Sequence, residues 1–474
     1  MADSPRPNIL FLLSDEHSFR YLSFLTHAEG GEPVRTPALD GLAARGTFFE
    51  NAYCQMPLCT PSRICMLTGR DQEKCGAWGN NAIVPPDIPT LPGHLVERAG
   101  YETALVGKMH FGGSRQFNGF RQRPYGDYTT KNAGHQPDPL EEWEGGPGGM
   151  MRRIRLAGVT SIPESFLQEQ IVVRESIALL REHRHRGRSG GESEQPWLLC
   201  ASFSRPHFPW TAPRRFFDRY WPQGVTRPRV GRTGDTALHP MVVEHRRRFD
   251  TEGVTDEELL RVRAAYMACV DYLDEILGDF LATLERDGLL DNTIVVYTTD
   301  HGEMGGENGM FYKNTWHEPA AHVPFIIQTP EHRRGDLAPA RLKTPVSLGD
   351  LFPTLCGLVG VEPPAGLDGV DLSAAIRNAS SECERGPVLC QSVPNWRMLR
   401  QGRHKYVAFR EGPEVLFDLQ TDPDEQRNLA ADPAHASVVA ELRAKTMAGF
   451  DFEAVAERAR DERAALQQRF PKRI

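Results

Sequence analysis

The sequence predicts an α/β fold: a large, mostly parallel sheet sandwiched by helices, followed by a smaller C-terminal α+β subdomain. Three observations carry this expectation. Short, continuously apolar runs recur along the first 330 residues, as strands buried on both faces do. Capped helical patterns lie between those runs. After about residue 380 the runs become strands of a small antiparallel sheet. The expected boundaries are 1–380 for the large α/β domain and 381–474 for the C-terminal subdomain with its helical tail.

The parallel strands are predicted at 8–13, 101–106, 197–203, 293–298 and 323–328. Thr36 and Pro37 open a helix that Gly46 closes. Thr255 and Glu258 form a capping box ahead of an amphipathic run that reaches Arg286. The stretches 144–149 and 184–195 are rich in glycine and charge and read as loops. Residues 205–254 mix proline, arginine and aromatics and read as an irregular insertion near the site. Beyond 380, "PVLCQSV", "WRMLRQGRHKYVAFR" and "EVLFDLQ" supply strands. "DPDEQRNLA" turns into a helix, and the last 30 residues form an exposed helix rich in Ala, Glu and Arg.

Composition narrows the functional class. The chain has 474 residues, 40% hydrophobic and 25% charged, which suits a soluble globular protein. A net charge of −8 argues against general nucleic-acid binding, so an anionic ligand needs a local positive site. The nine cysteines are an odd number in a large chain, which argues against a disulfide framework. The first residues lack the basic start and long apolar core of a signal peptide, and no run approaches the ~18 apolar residues of a membrane span. The expected location is cytoplasmic, with no membrane partner.

The stretch "PLCTPSRICMLTGR", residues 57–70, concentrates the chemistry. Thr60 reads as a helix N-cap and Pro61 as the first helical residue, which places Cys59 at the helix mouth. The helix dipole there favours negative charge, and Arg63 lies one turn on. A nucleophile at Cys59 would be activated and an anion beside it held. Asp15-Glu16 and Asp300-His301 each directly follow a predicted strand, where sites gather in parallel sheets. Such acids either cap helices or converge on a divalent cation.

Residues 59–70 fit the pattern C-x-P-S-R-x-x-x-L-T-G-R at Cys59, Pro61, Ser62, Arg63, Leu67, Thr68, Gly69 and Arg70. This resembles the signature of the type I sulfatases of the alkaline phosphatase superfamily. The resemblance implies that a separate maturation enzyme oxidises Cys59 to formylglycine. In the hydrated form one hydroxyl, deprotonated beside a metal, attacks sulfur, and the other expels sulfate by re-forming the aldehyde. The implied metal ligands are Asp15, Glu16, Cys59, Asp300 and His301, with Glu16 standing where the family usually shows a second Asp. Calcium is the favoured ion, and magnesium or manganese is compatible with such ligands.

Further motifs extend the resemblance through nearly the whole chain. "GKMHF" implies that Lys108 holds a sulfate oxygen and His110 bonds the formylglycine hydroxyl. "SRPHFPW" makes His207 a contact to sulfate or the donor to the leaving oxygen. "GMFYKNTWHEP" gives Lys313 as a second sulfate cation or as the acid. Asn80 or Asn81 lies near the nucleophile in this alignment. His322 stands where relatives often carry an arginine, which calls a structural salt bridge there into question and leaves the chemistry unaffected. "GKMHFGGSRQFNGFRQRPYGDY" and the tail point to the choline-sulfatase-like and cytoplasmic arylsulfatase branch, and the tail to a homo-oligomer. A quaternary ammonium substrate would want aromatic walls, for which Trp143, Trp210, Trp316 and Trp396 are candidates. The expected function is hydrolysis of a small aryl or alkyl sulfate. The alternatives are a phosphonate monoester or phosphate diester hydrolase of the same superfamily and a non-catalytic binder of sulfated ligands.

Overall fold

A computed structural model describes residues 5–127, 149–190, 195–233 and 236–469. Trp143 and the glycine-rich stretch 144–148 lie outside the described residues. Eight strands form the main sheet. Its order from edge to edge is Ala340–Leu342, Thr47–Phe49, Phe325–Gln328, Thr293–Thr299, Asn8–Asp15, Trp197–Pro206, Glu102–Gly107 and Gln122–Gly126. The central strand Asn8–Asp15 runs parallel to both neighbours. One expectation is corrected: Phe325–Gln328 is antiparallel to both of its neighbours. Its apolar run predicts burial on two faces but carries no information about direction.

Both faces of the sheet are covered. Ile9, Phe11 and Leu13 enter one core, and Leu10 and Leu12 the other. The long helix Asp256–Arg286 opens with the expected Thr255–Glu258 capping box and packs against the second face. Its Asp274 carboxylate accepts from the amides of Ala38 (2.8 Å) and Leu39 (2.9 Å) and thereby caps the helix Pro37–Ala43. Thr36 was expected to do this; its hydroxyl bonds Asp40 and Ser23 instead. That helix ends before Gly46.

Two other expectations change. The helix Gln168–Gly190 runs through most of the stretch read as a loop. Its Arg186 pairs with Glu102 (3.1 Å), and the basic residues sit at its C-terminal end, where the dipole favours them. The insertion 205–254 holds the helices Arg214–Tyr220 and Pro240–Arg248. Phe216, Phe217 and Tyr220 are spaced to bury one face of the first of these.

The C-terminal strands Val388–Ser392, Trp396–Gln401, His404–Phe409 and Val415–Asp418 form an antiparallel meander. It joins the larger layer through buried charge. Lys405 Nζ meets Glu318 Oε1 at 2.8 Å and Glu425 Oε1 at 2.7 Å. Glu318 also accepts from the Tyr53 hydroxyl, and His322 Nδ1 lies 2.9 Å from the same oxygen, so the histidine at position 322 meets a buried acid. The tail helix Phe452–Arg469 is not wholly exposed: Val455 and Ala459 pack on Trp78. No described helix is long and apolar enough to cross a membrane.

Candidate active site

The two central strands end where the site begins. Asn8–Asp15 delivers Asp15, and Thr293–Thr299 delivers Asp300 one residue beyond its end. The chain then turns sharply. Glu16 adopts φ +66° and His110 φ +61°, left-handed conformations that side chains other than glycine adopt at a cost. Packing holds these turns. The Tyr266 hydroxyl, from the long helix, donates to Glu16 O (2.6 Å) and accepts from Ser18 N (2.9 Å). The Asp127 carboxylate accepts from the amides of Met109 (2.9 Å) and His110 (2.6 Å).

The helix carrying the nucleophile candidate spans Cys59–Thr68, so Cys59 is its first residue and Leu58 its cap position. Thr60 does not cap it. Its hydroxyl donates to His110 O (2.8 Å) and to Asn80 O (3.1 Å), which ties the helix mouth to the Lys108–His110 turn. Asn80, not Asn81, meets this helix: its Oδ1 accepts from Thr60 N at 3.2 Å.

Asp15, Cys59, Asp300 and His301 present one ligand atom each within 4.8 Å of one another, and Asp15, Glu16 and His207 form a second such group. His301 Nδ1 lies 3.0 Å from Gly302 O, so its N–H points there and the Nε2 lone pair faces Cys59 Sγ at 3.2 Å. Glu16 Oε1 is buried without a hydrogen-bond donor. Carboxylates with one imidazole suit a hard dication. Charge agrees. Asp15, Glu16, Asp300 and Glu303 are buried with Arg63, Lys108 and Lys313. Formally one negative charge is left over, and a dication would turn the site positive towards an anion.

Arg63 differs from its expected place beside a bound anion. It is fully buried beneath the carboxylates, with Nη2 on Asp15 (2.7 Å), Nε on Asp300 (2.8 Å) and Nη1 on Lys108 O (2.8 Å) and Ser202 Oγ (3.2 Å). It therefore sets the spacing of the two acids. Burial disfavours its charge, but Asp300 and Asp15 outweigh that and push its pKa up. Asp300 moves the opposite way: burial would raise it, and Arg63, His301 and Lys108 drag it well down. Lys108 Nζ sits 2.6 Å from Asp15 Oδ2. Lys313 Nζ donates to Glu16 (2.8 Å), and His207 Nε2 lies 3.2 Å from the same oxygen. Burial opposes the Lys313 charge, but Cys59, Glu16 and Asp15 raise its pKa overall.

The expected activation of Cys59 is not seen in the thiol. Burial and then Asp15 push its pKa up to about 12, against the pull of Lys313 and Lys108. The helix dipole does not overcome a desolvated sulfur beside a carboxylate, so the unmodified thiol stays protonated at neutral pH. Sequence reasoning also missed Glu303. Its carboxylate accepts from Gly305 N (2.9 Å) and Tyr312 N (2.8 Å) and stands beside Glu16. The signal was present as the second acid of "DHGE". Of the three described tryptophan candidates, Trp210 stacks on Tyr312, while Trp316 meets Trp396 edge-on at 6.2 Å. A separate cleft of about 830 Å³, lined in part by Glu29, Arg341, Lys343 and Arg403, shares no residue with this cluster.

Comparison with known proteins assigns the family. The sulfatase family model matches residues 7–361, and a model of the N-sulphoglucosamine sulphohydrolase C-terminal region matches 306–449. A choline-sulfatase of Rhizobium meliloti (strain 1021) is 33% identical, covering 97% of this chain and 90% of that protein. Arylsulfatase K of Mus musculus is 28% identical over 91% of this chain and 77% of its own. Among solved structures, a phosphonate monoester hydrolase of Agrobacterium radiobacter superposes with a TM-score of 0.76 at 23% identity, covering 96% of each chain, and shares the fold. With a family model spanning most of the chain and a relative similar along nearly all of it, the chain belongs to the sulfatase family and is a sulfuric ester hydrolase.

Proposed function

We propose that the chain hydrolyses a small aryl or alkyl sulfate monoester to the alcohol and inorganic sulfate, using formylglycine made from Cys59 by a maturation enzyme. The single observation that carries this reading is Cys59 Sγ at 3.2 Å from His301 Nε2, inside the ring of Asp15 and Asp300. A thiol held protonated by burial is a poor nucleophile, whereas a hydrated aldehyde there offers two hydroxyls. Asp15, Glu16, Asp300 and His301 would hold a divalent cation, calcium by preference, which supplies Lewis-acid charge for the nucleophile and the sulfate.

Each residue then has a task. Arg63 and Lys108 fix the Asp15 and Asp300 carboxylates, and Lys108 has a further N–H for a sulfate oxygen. Lys313, whose charge is strongly held, clamps the sulfate. His110 accepts the proton when the second hydroxyl expels sulfate. His207 points Nδ1 at Phe208 O (2.6 Å) and turns Nε2 into the site, where it donates to the leaving oxygen.

Residues 1–380 carry this chemistry in the proposal, and 381–474 buttress it through Lys405. Cytoplasmic residence fits a chain whose eight cysteines other than Cys59 are free thiols. Self-assembly through the tail would have to use its exposed face, because its apolar stripe lies on Trp78. The test compares turnover of an aryl sulfate and an aryl phosphonate by matured, calcium-loaded protein. Faster sulfate hydrolysis is expected; a large phosphonate preference would overturn the proposal.

A further inference from the structure

Glu303 has one oxygen fixed and one unmet. Oε1 accepts from Gly305 N (2.9 Å) and Tyr312 N (2.8 Å), which ties the carboxylate to both ends of the loop that leads to Lys313. The group is buried and lies within hydrogen-bonding reach of the Glu16 carboxylate. Glu16 is divided in the same way: its Oε2 has Lys313 Nζ at 2.8 Å and His207 Nε2 at 3.2 Å. Among the described residues, neither Glu303 Oε2 nor Glu16 Oε1 has a hydrogen-bond donor.

The charges of the cluster divide unevenly. Arg63 and Lys108 pair with Asp15 and Asp300, two cations on two acids. Lys313 is left to serve both Glu16 and Glu303, and it faces only Glu16 Oε2. The site's formal surplus of one negative charge therefore lies on this pair. Buried carboxylates in contact, each with an unmet oxygen, call for compensating positive charge. Glu303 belongs to neither group of converging ligand atoms, whereas Glu16 belongs to the one it forms with Asp15 and His207. Any effect of Glu303 on an ion thus passes through Glu16.

Resting on the cation reading proposed above, we infer that Glu303 is a positioning residue for that ion: its fixed negative charge against Glu16 strengthens cation binding and destabilises the cation-free protein. A merely structural Glu303 predicts otherwise, since its loss would lower stability with and without the ion. Glu303→Gln separates the two roles. The glutamine carbonyl can still accept from Gly305 N and Tyr312 N, and its amide N–H can donate to Glu16 Oε1. The loop keeps its tie and the charge is removed.

The test is calorimetric titration of the matured full chain with calcium, paired with melting in chelator. Glu303→Gln should weaken calcium binding about 10- to 100-fold, the usual loss for a group that supports a metal ligand. In chelator it should melt about 1–3 °C above wild type, because an unmet buried carboxylate has been removed. Glu303→Asp, which keeps the charge, should bind calcium more tightly than Glu303→Gln. Four results would each overturn the inference while leaving the cation reading intact: unchanged calcium affinity in Glu303→Gln, a lower melting point in chelator, failure of that variant to fold, or weaker binding by Glu303→Asp than by Glu303→Gln. A wild type that binds none of calcium, magnesium and manganese would instead refute the cation reading, and the inference with it.

Discussion

Replacing Arg63 with methionine tests the electrostatic frame of the site. The side chain is fully buried and holds both Asp15 and Asp300. Methionine keeps the bulk and removes the cation, so two carboxylates are left buried and short of compensation. Breaking a buried pair in this way costs about 3–5 kcal/mol. Unfolding entropy near the midpoint is about 2.1 cal/mol/K per residue, or about 1 kcal/mol/K for 474 residues melting together. The expected drop in Tm is therefore about 3–5 °C in chelator. A dication bound by the same carboxylates supplies part of the missing charge, so saturating calcium should narrow the gap to wild type. Differential scanning calorimetry in chelator and in calcium reads both effects. A variant that melts within about 1 °C of wild type in chelator, or a gap that calcium widens, would refute the reasoning.

Three further outcomes follow from the same coordinates. Lys313→Met should lower kcat by about a hundredfold or more, by a similar factor for phenyl and nitrophenyl sulfates, because a clamp acts on the sulfate and not on the leaving oxygen. His207→Gln should instead slow the phenyl ester more than the nitrophenyl ester, and steady-state rates across the series separate the two roles. Burial raises the Asp274 pKa to about 7, against the two amides it caps. A carboxyl raised in the folded state gives stability that is full below its unfolded value near 4 and is lost as pH rises to about 7. The Tm of wild type relative to Asp274→Asn should therefore fall between pH 4 and 7 and level off above, and a difference that stays constant with pH would contradict this.

The sequence made the strands legible because burial on two faces leaves an unbroken apolar run. It also placed Asp15 and Asp300 correctly, since a polar residue ending such a run can only lie at the sheet's rim. What it could not show was direction or depth. Phe325–Gln328 has the same apolar signature whichever way it runs. Arg63 reads as one turn from Cys59, and nothing local says that its guanidinium faces down onto two acids instead of out towards a substrate. Tyr266 and Asp127 hold the site's turns from distant or unremarked positions, and such contacts exist only once the chain has folded. The basic, glycine-bearing end of Gln168–Gly190 reads as a loop because propensity is local, whereas Glu102 and Asp287 stabilise it from other segments.

The central claim is that the reacting group at position 59 is an aldehyde hydrate and not a thiol. Mass spectrometry of the peptide carrying Cys59, taken from a preparation whose sulfate-ester turnover has been measured, tests it most directly. The account predicts exchange of H₂S for oxygen at that residue, in proportion to activity across preparations of differing maturation. A fully active preparation in which that peptide retains the mass of the unmodified thiol would contradict it.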